Sequence, residues 1–272
     1  MTREYDELEI VNKIPLFKII KEILARVFAL YGLIIFFLSL LIISPAVTIM
    51  RMRFKDPELA VVVHKWFRGW MRFFTTAILS PIRIRGEEHF QPGENYIVAC
   101  NHRSMMDVPV STPFIPGANK TIAKKSMSKI PLFGTVYKAG SVLVNRKSER
   151  SRRKSYDEMK KVLAMGLHMC IYPEGTRNKT GMPLKNFRDG AFRLSVETGK
   201  KIIPAIIVNT SKVLPVDKTF YLWPAPLRII FLEPVSPEGL TIEELNQKVF
   251  RIMWDALRKE KEKDKAKHKR RQ

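Results

Sequence analysis

The chain has 272 residues, 46% of them hydrophobic, which suffices for a sizeable core and excludes wholesale disorder. Lys and Arg outnumber Asp and Glu 48 to 26, giving a net charge of +22; such a surface suits anionic partners, whether nucleic acid, anionic lipid or a phosphorylated substrate. The two cysteines, Cys100 and Cys170, sit in apolar runs, which excludes a disulfide framework, and no Cys/His metal-ligand spacing is present.

Val27 to Met50 carries no formal charge, and its densest part, Val27 to Ile43, is at the lower edge of a membrane-spanning helix. The stretch is apolar on every face, unlike a soluble core helix. A long polar region precedes it and no small-x-small cleavage site follows, which argues against a signal peptide. Arg3, Lys13, Lys18, Lys21 and Arg26 lie before it, and Arg51, Arg53, Lys55, Lys65, Arg68 and Arg72 after it. The positive-inside rule therefore picks no orientation. A segment embedded or re-entrant from the cytoplasmic side, kinked near Ser44-Pro45, and a single crossing both stand. Residues 59–80 follow, with His64, Arg68 and Arg72 recurring every four residues among Trp66, Phe67, Trp70, Phe73 and Phe74. This pattern predicts an amphipathic helix at headgroup level, the plain alternative being a core helix with a solvated face.

From residue 82 the pattern alternates. Runs rich in β-formers at 82–85, 95–100, 119–123, 141–145, 168–172, 201–208 and 227–232 predict strands. Helical segments are expected at 104–115, 151–166, 189–198 and 241–258, the last opened by a Thr241–Glu244 capping box. The expected fold is α/β: a mixed, mostly parallel sheet flanked by helices, preceded by an N-terminal membrane-embedded helical segment. Three regions result: a membrane-associated helical region at 1–80, an α/β domain at 81–258, and a basic tail at 259–272 that is frayed or disordered.

Polar residues cluster where these strands end. "NHRSMMD" places His102 five positions before Asp107, just after the apolar run at 96–99. "GSVLVNR" ends in Arg146, and "YPEGTR" supplies Glu174, Gly175, Thr176 and Arg177 after another run. "KIIPAIIV" reads as an apolar strand broken by Pro204. Ligands of α/β sheets bind beyond the carboxyl ends of strands, so these ends are expected to converge.

In this order the four pieces resemble the glycerolipid acyltransferase family, the one containing bacterial 1-acylglycerol-3-phosphate acyltransferase, over roughly residues 80–210. His102-x4-Asp107 matches the first block, Gly140 to Arg146 the second, Pro173 to Arg177 the third and the strand around Pro204 the fourth. The resemblance implies that Glu174, Gly175, Thr176 and Arg177 line the acceptor site. Lys124 is similar to the lysine of a Lys-x-Glu-Leu element, although Ser126 and Met127 replace Glu and Leu. Arg188 replaces the lysine of a Phe-Lys-x-Gly element.

Acyl transfer to an alcohol needs a base, and neutral imidazole suits that role near neutral pH. His102 is expected to take the hydroxyl proton, with Asp107 steadying the ring. No G-x-S-x-G is present, so the nucleophile is the acceptor's own hydroxyl. Arg177 first and Arg146 second are the expected phosphate ligands, since guanidinium gives bidentate donors; Glu174 is expected to orient the Arg177 guanidinium. No metal and no cofactor are implied. The resemblance implies a cell-membrane enzyme, active site on the cytoplasmic face, acylating the 2-hydroxyl of lysophosphatidic acid from acyl-CoA or acyl-acyl-carrier-protein. Its partners are the bilayer, the lysophospholipid acceptor and the thioester donor, with no nucleic acid. Two alternatives stay open: a lyso-aminolipid acceptor (lyso-ornithine or lyso-glycine lipid), which needs no two-arginine clamp, and a non-catalytic basic module at the membrane surface.

Overall fold

The structure is a computed structural model that describes residues 16–145 and 147–269. All seven expected strands form: β1 Ile82–Arg85, β2 Ile97–Cys100, β3 Asn119–Lys124, β4 Ser141–Val144, β5 His168–Ile171, β6 Ile202–Val208 and β7 Leu227–Phe231. They make one sheet in the order β1-β7-β6-β2-β5-β3-β4. The strands β6, β2, β5, β3 and β4 run parallel, while β7 runs antiparallel to β6 and carries β1 parallel to itself. Every residue of β2 and β5 is buried, as expected of central strands covered on both faces.

Alternate residues of these strands feed two cores. Val98, Cys100, Cys170, Ile203 and Ala205 pack on one face with α1 (Leu16–Arg53), α2 (Glu58–Ala77) and α4 (Phe133–Ala139). Ile97, Ala99, Met169, Ile171, Ile202 and Ile206 pack on the other with α5 (Glu149–Ala164), α6 (Gly190–Thr198) and α8 (Ile242–Lys269). Two short helices complete the set, α3 (Asp107–Ser111) and α7 (Thr210–Val213). Of these, α4 and α7 are too short to leave a periodic signature, and the sequence reading lacks them.

Several expectations change. The strand around Pro204 is not broken: Ile202–Val208 runs through it in the sheet interior. The Pro204 carbonyl accepts from Leu232 on the β7 side, so the missing N–H faces that side too. There the partner chain has one more residue between Phe231 and Val235 than β6 has between Ala205 and Ile202. This bulge leaves no ladder bond for proline to forfeit.

Helix α1 runs on through Ser44-Pro45 as one element, and it is a single candidate membrane span by length and composition. One stripe of it packs inward through Ala25, Leu40, Ile43 and Val47. Contacts tie it down along its length: the Leu222 N–H donates to Ala25, the Trp70 indole to Ser39 Oγ, and Ser44 Oγ to the Leu132 carbonyl. Its outer face leaves Leu33, Ile34, Phe37, Leu38, Leu41 and Ile42 exposed. The basic stripe of α2 divides. Arg68 turns inward to donate to the carbonyls of Pro113 and Ile115, and burial pushes the His64 imidazole down to about 4. Only Lys65 and Arg72 of that stripe stay exposed. The early basic residues Arg3 and Lys13 lie outside the described residues.

The tail, expected to be a frayed helix end or disordered, is helical over its described part, and residues 270–272 lie outside the described residues. Helix α8 continues past residue 258 to Lys269 because its far end is pinned to the sheet. Glu260 is buried and pairs with Arg85 at 3.1 Å, Lys263 at 3.0 Å and Arg228 at 3.5 Å. Arg228 in turn grips both oxygens of Asp264 at 2.8 and 2.7 Å. Removing one member of such a set leaves a buried charge under-paired. Glu260→Ala should therefore destabilise the domain by about 2 kcal/mol, a loss moderated by Asp264, read as a lower unfolding midpoint in detergent; an unchanged midpoint would mean that the helix end contributes nothing.

Candidate functional site

The ends of β2 and β5, direct neighbours in the sheet, build the centre of the site. After Cys100 the chain leaves the sheet and turns at once into α3. Asp107, fully buried, points back at the turn it caps. Its Oδ2 accepts from the main-chain N–H of Arg103 at 2.6 Å and of Ser104 at 2.7 Å, and lies 2.8 Å from His102 Nδ1. A carboxylate can only accept, so Nδ1 carries the ring proton and Nε2 is left with a free lone pair. The His102 side chain is 15% exposed, enough for a reactant to reach it. A fixed tautomer with an accessible basic nitrogen is the arrangement that a general base needs.

The loop after β5 fixes His102 from its other side. Glu174, 1% exposed, accepts from the His102 main-chain N–H through Oε1 at 2.7 Å and from the Lys185 N–H through Oε2 at 2.9 Å. Burial pushes the Glu174 carboxyl above its usual range, and those two N–H donors pull it part of the way back. The Asn178 N–H closes the loop onto the His102 carbonyl at 2.6 Å. The Tyr172 ring lies 4.6 Å from the imidazole, and its hydroxyl bonds Ser111 at 2.7 Å. Desolvation holds the Tyr172 phenol well above its ordinary range, so it stays neutral.

Gly175 has φ +72°, a conformation that costs other residues. A Cβ there would come within 2.7 Å of Arg188 Nε. Arg188 thus lies over the Glu-Gly-Thr-Arg loop, and its own N–H anchors to the Pro173 carbonyl at 2.9 Å. Thr176 and Arg177 line a surface pocket of about 330 Å³ with Lys179, Thr180 and Lys185. Lys185 Nζ donates to Thr176 Oγ1 at 2.8 Å.

The structure therefore joins His102, Asp107, Glu174 and Gly175 in one bonded unit, with Thr176, Arg177 and Arg188 on its rim. Lys124 is exposed at the carboxyl end of β3, one strand beyond β5. Arg146 lies outside the described residues. Glu174 differs from expectation: among the described residues its oxygens serve the main chain of His102 and Lys185, not the Arg177 guanidinium. Sequence reasoning missed Tyr172, Asn178, Lys179 and Lys185. The loop residues carry no periodic or spacing signal, although the run of lysines around a Glu-Gly-Thr-Arg turn pointed to an anion. Among the described residues no group of His, Cys, Asp or Glu could hold a metal. His168 is a structural histidine, accepting from the Tyr96 N–H at 3.0 Å and pushed by burial down to about 4.

Comparison with known proteins meets this geometry. Residues 81–208 match the family model "Acyltransferase", and that span contains the whole bonded unit. Over that span the chain is similar to the acyltransferase family. Proteins named 1-acyl-sn-glycerol-3-phosphate acyltransferase are similar to the chain. The one from Cocos nucifera is 31% identical over 172 residues, 62% of this chain and 54% of that protein. The one from Helicobacter pylori is 29% identical over 161 residues, 59% of this chain and 67% of that protein. The chain spans only about half the length of several of the curated relatives it matches, 49% for the one from Chlamydomonas reinhardtii. The crystal structure of the 1-acyl-sn-glycerophosphate (LPA) acyltransferase PlsC from Thermotoga maritima superposes with a TM-score of 0.76. It is 24% identical, and the match covers 88% of this chain and 97% of that one. At that identity the likeness speaks for the fold. The chain thus has a seven-stranded sheet of this type, with a long apolar helix ahead of it.

The Glu174 carboxylate accepts two N–H groups, one on each oxygen, and an amide can accept only one of them without turning its NH2 on the other. Glu174→Gln, although isosteric, should cost about 2 kcal/mol of stability and lower turnover by loosening the His102 backbone. Equal melting temperatures and rates for variant and parent would rule this clamp out.

Proposed function

We propose that this chain moves a fatty acyl group from a thioester donor to the 2-hydroxyl of 1-acyl-glycerol-3-phosphate, giving phosphatidic acid for phospholipid synthesis. The observation that carries the reading is the His102–Asp107 pair, 2.8 Å apart, with its tautomer fixed and its base nitrogen accessible beside the Glu-Gly-Thr-Arg loop. His102 Nε2 takes the proton of the acceptor hydroxyl as that oxygen attacks the thioester carbonyl. Asp107 steadies the imidazolium so formed. The tetrahedral intermediate collapses, the carbon–sulfur bond breaks, and the proton on Nε2 passes to the departing thiolate. The ester and the free thiol leave, and His102 is neutral again.

The pocket lined by Thr176, Arg177, Lys179, Thr180 and Lys185 supports a phosphate seat, since three cations meet two hydroxyls there. By the family resemblance, Arg146, Lys124 and Arg188 are further candidates for binding the acceptor. The exposed outer face of α1 supports seating in the cell membrane, and its contacts along the domain favour an embedded segment over a separate crossing. The active site then faces the cytoplasm, where the soluble donor (a coenzyme A or carrier-protein thioester) arrives.

The test uses purified protein in detergent with labelled hexadecanoyl-CoA, or the corresponding acyl carrier protein, and two acceptors, lysophosphatidic acid and a lyso-ornithine lipid. Phosphatidic acid should form, and His102→Ala should lower its rate by about 10³-fold. Turnover of the aminolipid alone would keep the base and overturn the acceptor; no turnover of either would overturn the reading. Arg177→Ala should raise KM for lysophosphatidic acid with kcat nearly kept, and an unchanged KM would remove Arg177 from the phosphate seat.

A further inference from the structure

Surface charge is distributed unevenly. Between Val108 and Tyr156 the chain carries eleven Lys and Arg residues and one acid, Glu149. Lys147, Arg150, Arg152, Arg153 and Lys154 are exposed on the turn before α5 and its first turns. A helix N-terminus carries partial positive charge and favours acids there. Glu149 alone meets that preference, and it pairs with Arg153 at 2.6 Å. These cations therefore work against the helix they stand on. Packing does not require them either, since α5 buries Ser155, Met159, Val162 and Leu163 while the basic residues face outward.

Their position is informative. Helix α5 follows β4, so its first turn lies at the carboxyl end of the parallel strands, the end that carries His102 and Glu174. The helix packs with Met159, Val162 and Leu163 in the core shared with α6 and α8. The apolar helices α1 and α2 cover the opposite face of the sheet. The basic turn thus shares an end with the catalytic pair, but not a face with the lipid-seeking helices. A headgroup layer would meet the α1 and α2 face; the α5 turn looks towards water.

We propose that this turn is the docking surface for an acidic carrier protein that bears the acyl group as a thioester. The inference rests on the acyl-transfer reading and names the donor of that site. Arg150, Arg153 and Lys154 share one helical face by their spacing, and Lys147 extends the row into the preceding loop. A row of this length matches a charged protein surface better than the few phosphates of a nucleotide thioester. Opposite charge on the partner steers the encounter and fixes its orientation, and salt weakens it.

The test is the variant K147E/R150E/K154E of the full chain in detergent, assayed with hexadecanoyl acyl carrier protein and with hexadecanoyl-CoA on the same acceptor. R150E puts an acid in the first helical turn, where it suits the dipole, and all three positions are exposed, so the variant should fold, and its melting temperature checks that. KM for the carrier-bound donor should rise about tenfold or more with kcat kept, and KM for the CoA donor should stay within about twofold. Raising the salt should weaken use of the carrier donor by the parent and barely affect the variant. Equal changes with both donors, or none with either, would overturn the proposal. So would an unchanged carrier KM with lost binding to phosphatidylglycerol vesicles, which would make the turn a lipid contact. A parent that uses the CoA donor alone would overturn the docking surface and leave acyl transfer standing. A parent that uses neither would sink the acyl-transfer reading itself.

Discussion

Two buried carboxylates hold one histidine, and much of the domain exists to keep them where they are. Asp107 fixes the ring through Nδ1, and Glu174 fixes the backbone through the N–H. Neither carboxylate could stay buried unpaired, so each must collect N–H donors: two main-chain groups plus the ring for Asp107, and two main-chain groups for Glu174. The loop after β2 supplies all three donors to Asp107, and His102 reaches Glu174 because β2 and β5 are parallel neighbours. Two fully buried strands, a helix of five residues and a left-handed glycine follow from this one requirement. The site is rigid for the same reason, because moving either loop strands a charge.

The sequence carried much of this in legible form. Seven strands were readable because each is a short run of β-branched and apolar residues bounded by turn formers, and the two catalytic-end motifs stood directly after two of those runs. Their convergence was also readable, since strand ends in a parallel sheet share one edge. What was not legible depended on three dimensions. Nothing local says that Glu174 serves the His102 backbone rather than its neighbour Arg177, because its donor is chosen by strand adjacency. Pro204 read as a break because proline lacks a donor, but the bulge after Phe231, well downstream in sequence, makes that donor unnecessary. The tail read as disordered because its charges alternate without an apolar face. Its order comes instead from Arg85 and Arg228, which lie on two strands remote in sequence.

Charge and apolar surface are sorted by the sheet itself. The long apolar helix and its partner lie on one face, and the most basic helix start lies on the other. The net charge alone conveys none of this, because part of it is neutralised in the α8 pairs and part is turned inward, as at Arg68. A count of lysines and arginines describes a molecule with one averaged surface; the fold makes two unlike surfaces that meet at the strand ends.

Strand order also has a consequence for how the molecule is made. Among the described residues, strand β1 pairs only with β7, the last of the seven strands in chain order. The amino-terminal part of α1 waits as long, since Ala25 receives its bond from Leu222. Until the final third of the chain emerges, β1 has no strand to pair with and the start of the apolar helix lacks this contact. Such contacts between distant segments form slowly and leave sticky intermediates. A bilayer close to the exit site would shelter that helix during the wait, so the same surface that seats the mature protein would also protect the unfinished one.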